Sequence, residues 1–182
     1  MTEGKPAVTG AGTPGGSQGN SVPAGSTART KIERGDRYSA PEIYNLEITV
    51  LGSLRGEGAL ARIRAEGVSD RQAKPGYEYL LVLIRFGYFS KGRGFVHSGD
   101  PYVIKQDFLN AVSPDRTKYY DLPVLDKQLN PSIIDTALAP GQTREGWIVL
   151  QVPEDVKNPL ISFKREYREN SYGIWKPIWF AV

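Results

Sequence analysis

Tyr77-Glu78-Tyr79-Leu80-Leu81-Val82-Leu83-Ile84-Arg85-Phe86-Gly87-Tyr88-Phe89 is the stretch that decides the fold. Side chains alternate sides along extended backbone. Leu80, Val82, Ile84 and Phe86 therefore share one face, and Tyr79, Leu81 and Leu83 share the other. A strand that is apolar on both faces has to be covered on both, which predicts a central position in a sheet.

Working outward, Tyr44, Leu46, Ile48 and Val50 alternate with Asn45, Glu47 and Thr49, the pattern of a half-buried strand beginning near Pro41. Residues 60–66 read as a second strand or a helical turn, because Ala59, Ala61 and Ala65 blur the period. On the other side, Ser90-Lys91-Gly92-Arg93-Gly94 is turn chemistry, and residues 102–109 form a strand with Tyr102, Ile104 and Phe108 as its apolar set. Ser113-Pro114-Asp115-Arg116-Thr117 is a turn leading to a short strand at 118–121. Residues 121–139 are irregular, broken by Pro123 and Pro131, with room for one helical turn. Pro140-Gly141 launches a strand over 142–152, and further strands are expected at 160–167 and 174–182. Short strands without a convincing amphipathic helix predict an all-β, immunoglobulin-like antiparallel β-sandwich over residues 41–182.

Residues 1–40 read differently. Residues 1–30 hold no aromatic, no Leu and no Ile, and consist mainly of Gly, Ala, Ser, Thr and Pro. Such a segment cannot bury enough apolar area to offset its ordering entropy, so a disordered linker is expected before the sandwich. Gly10-Ala11-Gly12-Thr13-Pro14-Gly15 matches the dinucleotide-binding pattern, and Gly15-Gly16-Ser17-Gln18-Gly19 matches the nucleophile-elbow pattern. Both motifs require a strand before and a helix after, which this segment lacks.

The chain has 182 residues, enough for one core and an appendage. With no cysteine, disulfide scaffolds, zinc ribbons and thiol nucleophiles are excluded. No apolar run approaches the length of a membrane span, and the first sixteen residues lack the pattern of an export signal. Either the protein is intracellular or an export segment precedes Met1. A formal charge of +3 is small for a nucleic-acid-binding domain, and no nucleic acid is expected as partner.

Three runs, taken together, resemble the telokin-like family of bacterial immunoglobulin-like domains. The first is Tyr44-Asn45-Leu46-Glu47-Ile48-Thr49-Val50-Leu51, and the second is Lys74-Pro75-Gly76-Tyr77-Glu78-Tyr79-Leu80-Leu81-Val82. The third runs from Leu138-Ala139-Pro140-Gly141 through Gly146-Trp147-Ile148-Val149 to Val152-Pro153. The resemblance covers roughly residues 43–182. The chain departs from the family pattern after the central strand, where Phe86-Gly87-Tyr88-Phe89-Ser90-Lys91-Gly92 replaces an Asn-rich turn. The resemblance implies a non-catalytic domain at the cell surface or in the extracellular envelope, tethered to the membrane through a segment upstream of residue 1. It implies no established active site.

The residue chemistry agrees with that implication. His97 is the only histidine, so a two-imidazole metal site cannot form, and the glycines and proline around it suit a loop. The acids Asp100, Asp107, Asp115, Asp121 and Asp126 lack calcium-loop spacing. Glu154 and Asp155 are adjacent and would point to opposite faces of a strand. No catalytic residue, metal ligand or cofactor is expected. Two groups remain as ligand-binding candidates. Arg85, Lys91 and Arg93, with His97, cluster around the glycine turn among Tyr88, Phe89 and Phe95, a mixture suited to an anionic polymer and equally to a solvated hairpin. Tyr172, Trp175 and Trp179 belong to the last strand, where flat aromatics could stack on a glycan or pack into the core. The expected partner is a cell-wall polymer or glycan, or an unidentified protein. The competing expectation is an intracellular accessory subunit that pairs with a partner through a strand edge.

Overall fold

The computed structural model describes residues 20–34, 42–68, 73–90, 99–164 and 177–182. The elements in chain order are β1 (Thr27–Arg34), β2 (Glu42–Arg55), α1 (Glu57–Ala65), β3 (Tyr77–Ser90), β4 (Tyr102–Val103), β5 (Leu109–Val112), β6 (Ala137–Leu138), β7 (Gln142–Pro153), β8 (Leu160–Phe163) and β9 (Ile178–Ala181). A turn of 3-10 helix, Gln106–Phe108, precedes β5.

The protein is an all-β antiparallel sandwich. One sheet has the order β1-β2-β3-β7, the second has the order β5-β8-β9, and β4 pairs with β6 in a two-residue ribbon. Strands β2, β3 and β7 fill the A, B and E positions of an immunoglobulin-type fold, and β5, β8 and β9 fill C, F and G. The inner faces meet in one core that contains Leu46, Ile48, Val82, Ile84, Phe86, Ile148, Ile161, Phe163 and Phe180. Phe86 and Phe163 touch edge to face across it, with ring centroids 5.7 Å apart.

The double-sided apolar character of β3 is explained by a second, smaller core. Tyr79, Leu81 and Val149 on the outer face of the large sheet pack against Ala59 and Ile63 of α1, with Val68 and Leu129. Residues 57–65 thus form a helix where a strand or a single turn is the sequence expectation. The alanines that blur a period of two place Ala59 and Ile63 four residues apart on one buried helical face. Arg62 and Glu66 pair at 2.6 Å, and Glu66 also accepts the Asn130 N–H at 2.6 Å, so the helix end is tied to the loop it covers.

The sequence expectation of a linker over residues 1–40 is corrected at Thr27–Arg34. Thr27–Arg34 is a full strand paired with β2 from Thr27↔Thr49 to Arg34↔Glu42. Ala28 and Ile32 are its buried residues, and Val22 ahead of it is completely buried. Only two small or medium apolar side chains anchor the strand; backbone pairing supplies the rest. The strand expected over residues 102–109 is divided into β4, the 3-10 turn and the start of β5. That expected at 118–121 is reduced to a bridge between Val112 and Tyr119.

Candidate functional site

Strand β9 alternates in the sense expected. Ile178 and Phe180 are buried in the core, while Trp179 points to the outer face of the small sheet and is half-buried. Across the ladder Trp179 is paired with Ser162 of β8, and Ser162 is paired with Asn110 of β5. Tyr119 joins the far edge of this sheet through its bridge to Val112 and is 39% exposed. Although β5 and β8 separate their backbones, the Tyr119 and Trp179 rings lie 6.1 Å apart, inclined at 50°. The two side chains therefore reach toward each other over the outer face of the sheet.

Two cations complete the cluster. The Arg116 guanidinium lies 5.4 Å from the centre of the Trp179 ring, and the Lys164 ammonium lies 4.3 Å from that of Tyr119, both within cation–π range. Arg116 occupies the left-handed region with φ 65°, which costs a side-chain-bearing residue about 1 kcal/mol and needs local support. The turn supplies that support. The Arg116 N–H donates to the Ser113 carbonyl at 2.8 Å. The Asp115 carboxylate accepts from the Ser113 hydroxyl and from the Thr117 N–H at 3.2 Å and hydroxyl at 2.9 Å. These bonds, the Ser113 hydroxyl foremost, hold the Asp115 carboxyl below the usual carboxylate range. Lys118 leaves the same turn and lies over Tyr120, 5.8 Å from its ring centre.

Ser162 lies at the centre of this face and is completely buried, with no hydrogen-bond partner for its hydroxyl among the described residues. By alternation it belongs on the outer side, since its neighbours Ile161 and Phe163 are in the core.

The other ligand candidates are placed elsewhere. Arg85 projects from the outer face of the large sheet, on the opposite side of the sandwich from Trp179, so the two do not share a site. Its guanidinium forms an exposed pair with Glu145 at 2.7 Å, and Arg29 pairs in the same manner with Glu47 at 2.7 Å. A shallow groove of about 490 Å³ on this face is lined by Arg29, Thr30, Lys31, Asn45, Glu47 and Phe89. Lys91, Arg93 and His97, like Tyr172 and Trp175, lie outside the described residues. A larger groove of about 530 Å³ sits between α1 and the start of β3, with Leu60, Pro75, Tyr77, Glu57, Glu78 and Glu154 among its lining. Of these, Glu78 is engaged by Arg55, whose other N–H groups donate to the carbonyls of Val156 at 2.6 Å and Pro153 at 3.1 Å.

Among the described residues, no three His, Cys, Asp or Glu side chains are close enough to hold a metal ion together. Also among the described residues, no helix is long and apolar enough to cross a membrane. The residues of the aromatic cluster that sequence reading passes over are Tyr119, Arg116 and Lys164. The turn before Tyr119 is legible in sequence, but its meeting with Trp179 depends on the order β5-β8-β9. Comparison with protein-family models, with curated proteins and with solved structures finds no match to this chain.

Proposed function

We propose that this protein is a non-catalytic binding domain of the cell envelope, and that it engages a glycan or wall polymer through Trp179 and Tyr119. The observation that carries the reading is the division of labour along β9. Ile178 and Phe180 supply its packing, which leaves Trp179 as an outward aromatic beside a second, 39% exposed ring. Flat rings on a rigid sheet offer a stacking surface to the C–H face of a sugar with little ordering cost on binding. The telokin-like pattern of the Pro140-Gly141 strand supports placement at the outer envelope, on a tether preceding residue 1.

The strand-edge alternative is narrowed at two of the sheet edges, while β1 and β5 are also end strands. The outer edge of β9 is met by Val22, and the outer edge of β7 is met at Trp147 by residues 131–133. The test of the proposed reading is co-sedimentation with purified cell-wall polysaccharide. Wild-type protein should pellet, and Trp179→Ala should stay in solution while still folded, its melting midpoint lowered by only a few degrees. Equal pelleting of both proteins would remove the site. Esterase, glycosidase and phosphatase substrates should show no turnover, and turnover abolished by His97→Ala would replace binding with catalysis.

A further inference from the structure

We infer that Val22 is a positioning residue of the ligand face. It fixes the peptide of Trp179, so that docking of the N-terminal segment and ligand binding at the indole favour each other; the inference rests on Trp179 carrying the site. In a strand, the backbone groups of successive residues point alternately toward one neighbour and the other. The Val22 N–H donates to the Trp179 carbonyl at 2.7 Å, and the Ala181 N–H donates to the Val22 carbonyl at 2.9 Å. Trp179 and Ala181 therefore turn their backbone toward Val22, while Phe180 between them turns its own toward Ile161 of β8. Trp179 and Ser162 form the intervening pair of the β8–β9 ladder, the kind that exchanges no backbone hydrogen bond. The Trp179 carbonyl is thus held from the Val22 side.

Val22 serves as a fixed point because its side chain is completely buried in the core shared by both sheets. The segment is held again at Gly25, whose N–H donates to the Val50 carbonyl of β2 at 2.8 Å. Residues 22–25 therefore set the edge of β9 against the large sheet. Ile178 and Phe180 keep β9 in the core by their own burial, so loosening Val22 leaves the strand in place and frees the Trp179 peptide to shift. The indole on that peptide has Tyr119 at 6.1 Å and the Arg116 guanidinium at 5.4 Å. A stacked ligand is sensitive to such a shift, because a gap of about 0.5–1 Å forfeits about a quarter to a half of a dispersion contact. Linkage makes the effect reciprocal: a ligand that selects the held indole also favours the docked Val22.

The experiment compares wild type, Val22→Pro, Val22→Ala, Ile32→Val and Trp179→Ala, each as the whole chain, in co-sedimentation with purified cell-wall polysaccharide. The temperature is one at which circular dichroism shows the proteins folded. Proton–nitrogen NMR spectra without polysaccharide follow the Trp179 indole N–H, assigned by its loss in Trp179→Ala. Val22→Pro deletes the donor to Trp179 and should weaken binding by about three- to tenfold, the ratio that one hydrogen bond's net contribution corresponds to. It should also displace the Trp179 indole signal while that of Trp147, on the large sheet, stays. Val22→Ala keeps the donor and trims its anchor; it should move both readouts in the same direction, binding by about twofold, and carries the test if Val22→Pro does not fold. Ile32→Val, which loosens β1 on the other sheet, should leave both at wild type. Binding lost in Trp179→Ala but kept at wild-type strength in the folded Val22 variants would overturn the positioning role and leave the ligand face standing. So would an unmoved Trp179 indole signal in those variants, or a loss of binding in Ile32→Val equal to theirs. If wild type does not pellet, or pellets no better than Trp179→Ala, the ligand face and the inference fall together.

Discussion

Val22 and Phe180 are bridged in parallel: the Val22 N–H donates to the Trp179 carbonyl at 2.7 Å, and the Ala181 N–H donates to the Val22 carbonyl at 2.9 Å. A residue from a Gly-, Ser- and Thr-rich stretch therefore closes the edge of the last strand, on the other sheet from β1, which follows it. The chain crosses from one sheet to the other between Val22 and Thr27. Removing residues 1–34 should accordingly lower the melting midpoint by many degrees, whereas a linker at these positions would be removable without effect. Val22→Ala should cost about 2 kcal/mol in a urea titration. Unchanged midpoints in both would show that neither the bridge nor β1 contributes to stability.

Gly146 in β7 is where the polypeptide 131–133 crosses the strand edge. A methyl group at this position would lie 2.5 Å from the Ser132 carbonyl carbon and against the Ile133 nitrogen. Both neighbours are backbone and held by pairing to Trp147, so neither can rotate away. Gly146→Ala is expected to destabilise the protein by about 2 kcal/mol or more, as overpacking does. A midpoint at or above wild type would mean that the 131–133 segment can lift off without loss.

Ile84 is 1% exposed in the middle of β3, opposite Val50 on one side and Gly146 on the other. Ile84→Asp should abolish folding, since an unpaired carboxylate cannot be buried at this depth without a cost of several kcal/mol. A soluble variant with a native circular-dichroism spectrum would refute the placement.

The residues that were legible in sequence and those that were not divide along a physical line. The alternations Tyr44–Leu46–Ile48–Val50 and Leu80–Val82–Ile84–Phe86 each put large side chains on one face of a long strand, and all eight are core residues. Strand β1 carries only Ala28 and Ile32 on its inner face, so its existence rests on backbone pairing to β2, which side-chain pattern does not record. Helix α1 could have been found from the spacing of Ala59 and Ile63 and the pairing of Arg62 with Glu66. Of the ligand candidates, Trp179 stands where alternation put it. Its partner Tyr119 lies 60 residues earlier in the chain, and no local signal links them.

Tyr88 gives the stability a dependence on alkali. Its ring packs 4.6 Å from Tyr44 and 5.6 Å from Tyr102, and its hydroxyl lies 3.4 Å from both the Arg34 guanidinium and the Asp100 carbonyl. Burial pushes the phenol far above the usual tyrosine range, against a smaller opposing pull from Arg34. Tyr120 is raised in the same sense, again chiefly by burial. The folded state then keeps a proton that the unfolded state loses near pH 10, the ordinary value. The associated stability is complete below that pH and is lost as the pH rises above it. Urea midpoints should fall between about pH 10 and 12, and Tyr88→Phe, which keeps the ring, should flatten that slope. An identical slope in the variant would assign the alkaline loss to other groups.

Phe180 and Trp179 are neighbours in β9 with opposite expected roles, and comparing their alanine variants tests the placement of the site. Phe180 is 1% exposed and belongs to the core shared by both sheets, so Phe180→Ala should cost about 3–5 kcal/mol through lost burial and the cavity left behind. Trp179 has Tyr119 at 6.1 Å and Arg116 at 5.4 Å as ring neighbours and keeps part of its surface in water. Its truncation forfeits a cation–π contact and partial burial, which together should cost about 1–2 kcal/mol. Ser162 sharpens the comparison. Its buried hydroxyl has no partner among the described residues, so Ser162→Ala should be neutral or stabilising by up to about 1 kcal/mol, an outcome that would separate the Trp179 effect from general fragility of this face. Parallel urea titrations of the three variants should therefore rank Phe180→Ala far below Trp179→Ala, with Ser162→Ala at or above wild type. If Trp179→Ala unfolds as readily as Phe180→Ala, the indole is a core side chain of the small sheet. A ligand platform at this position would then be untenable.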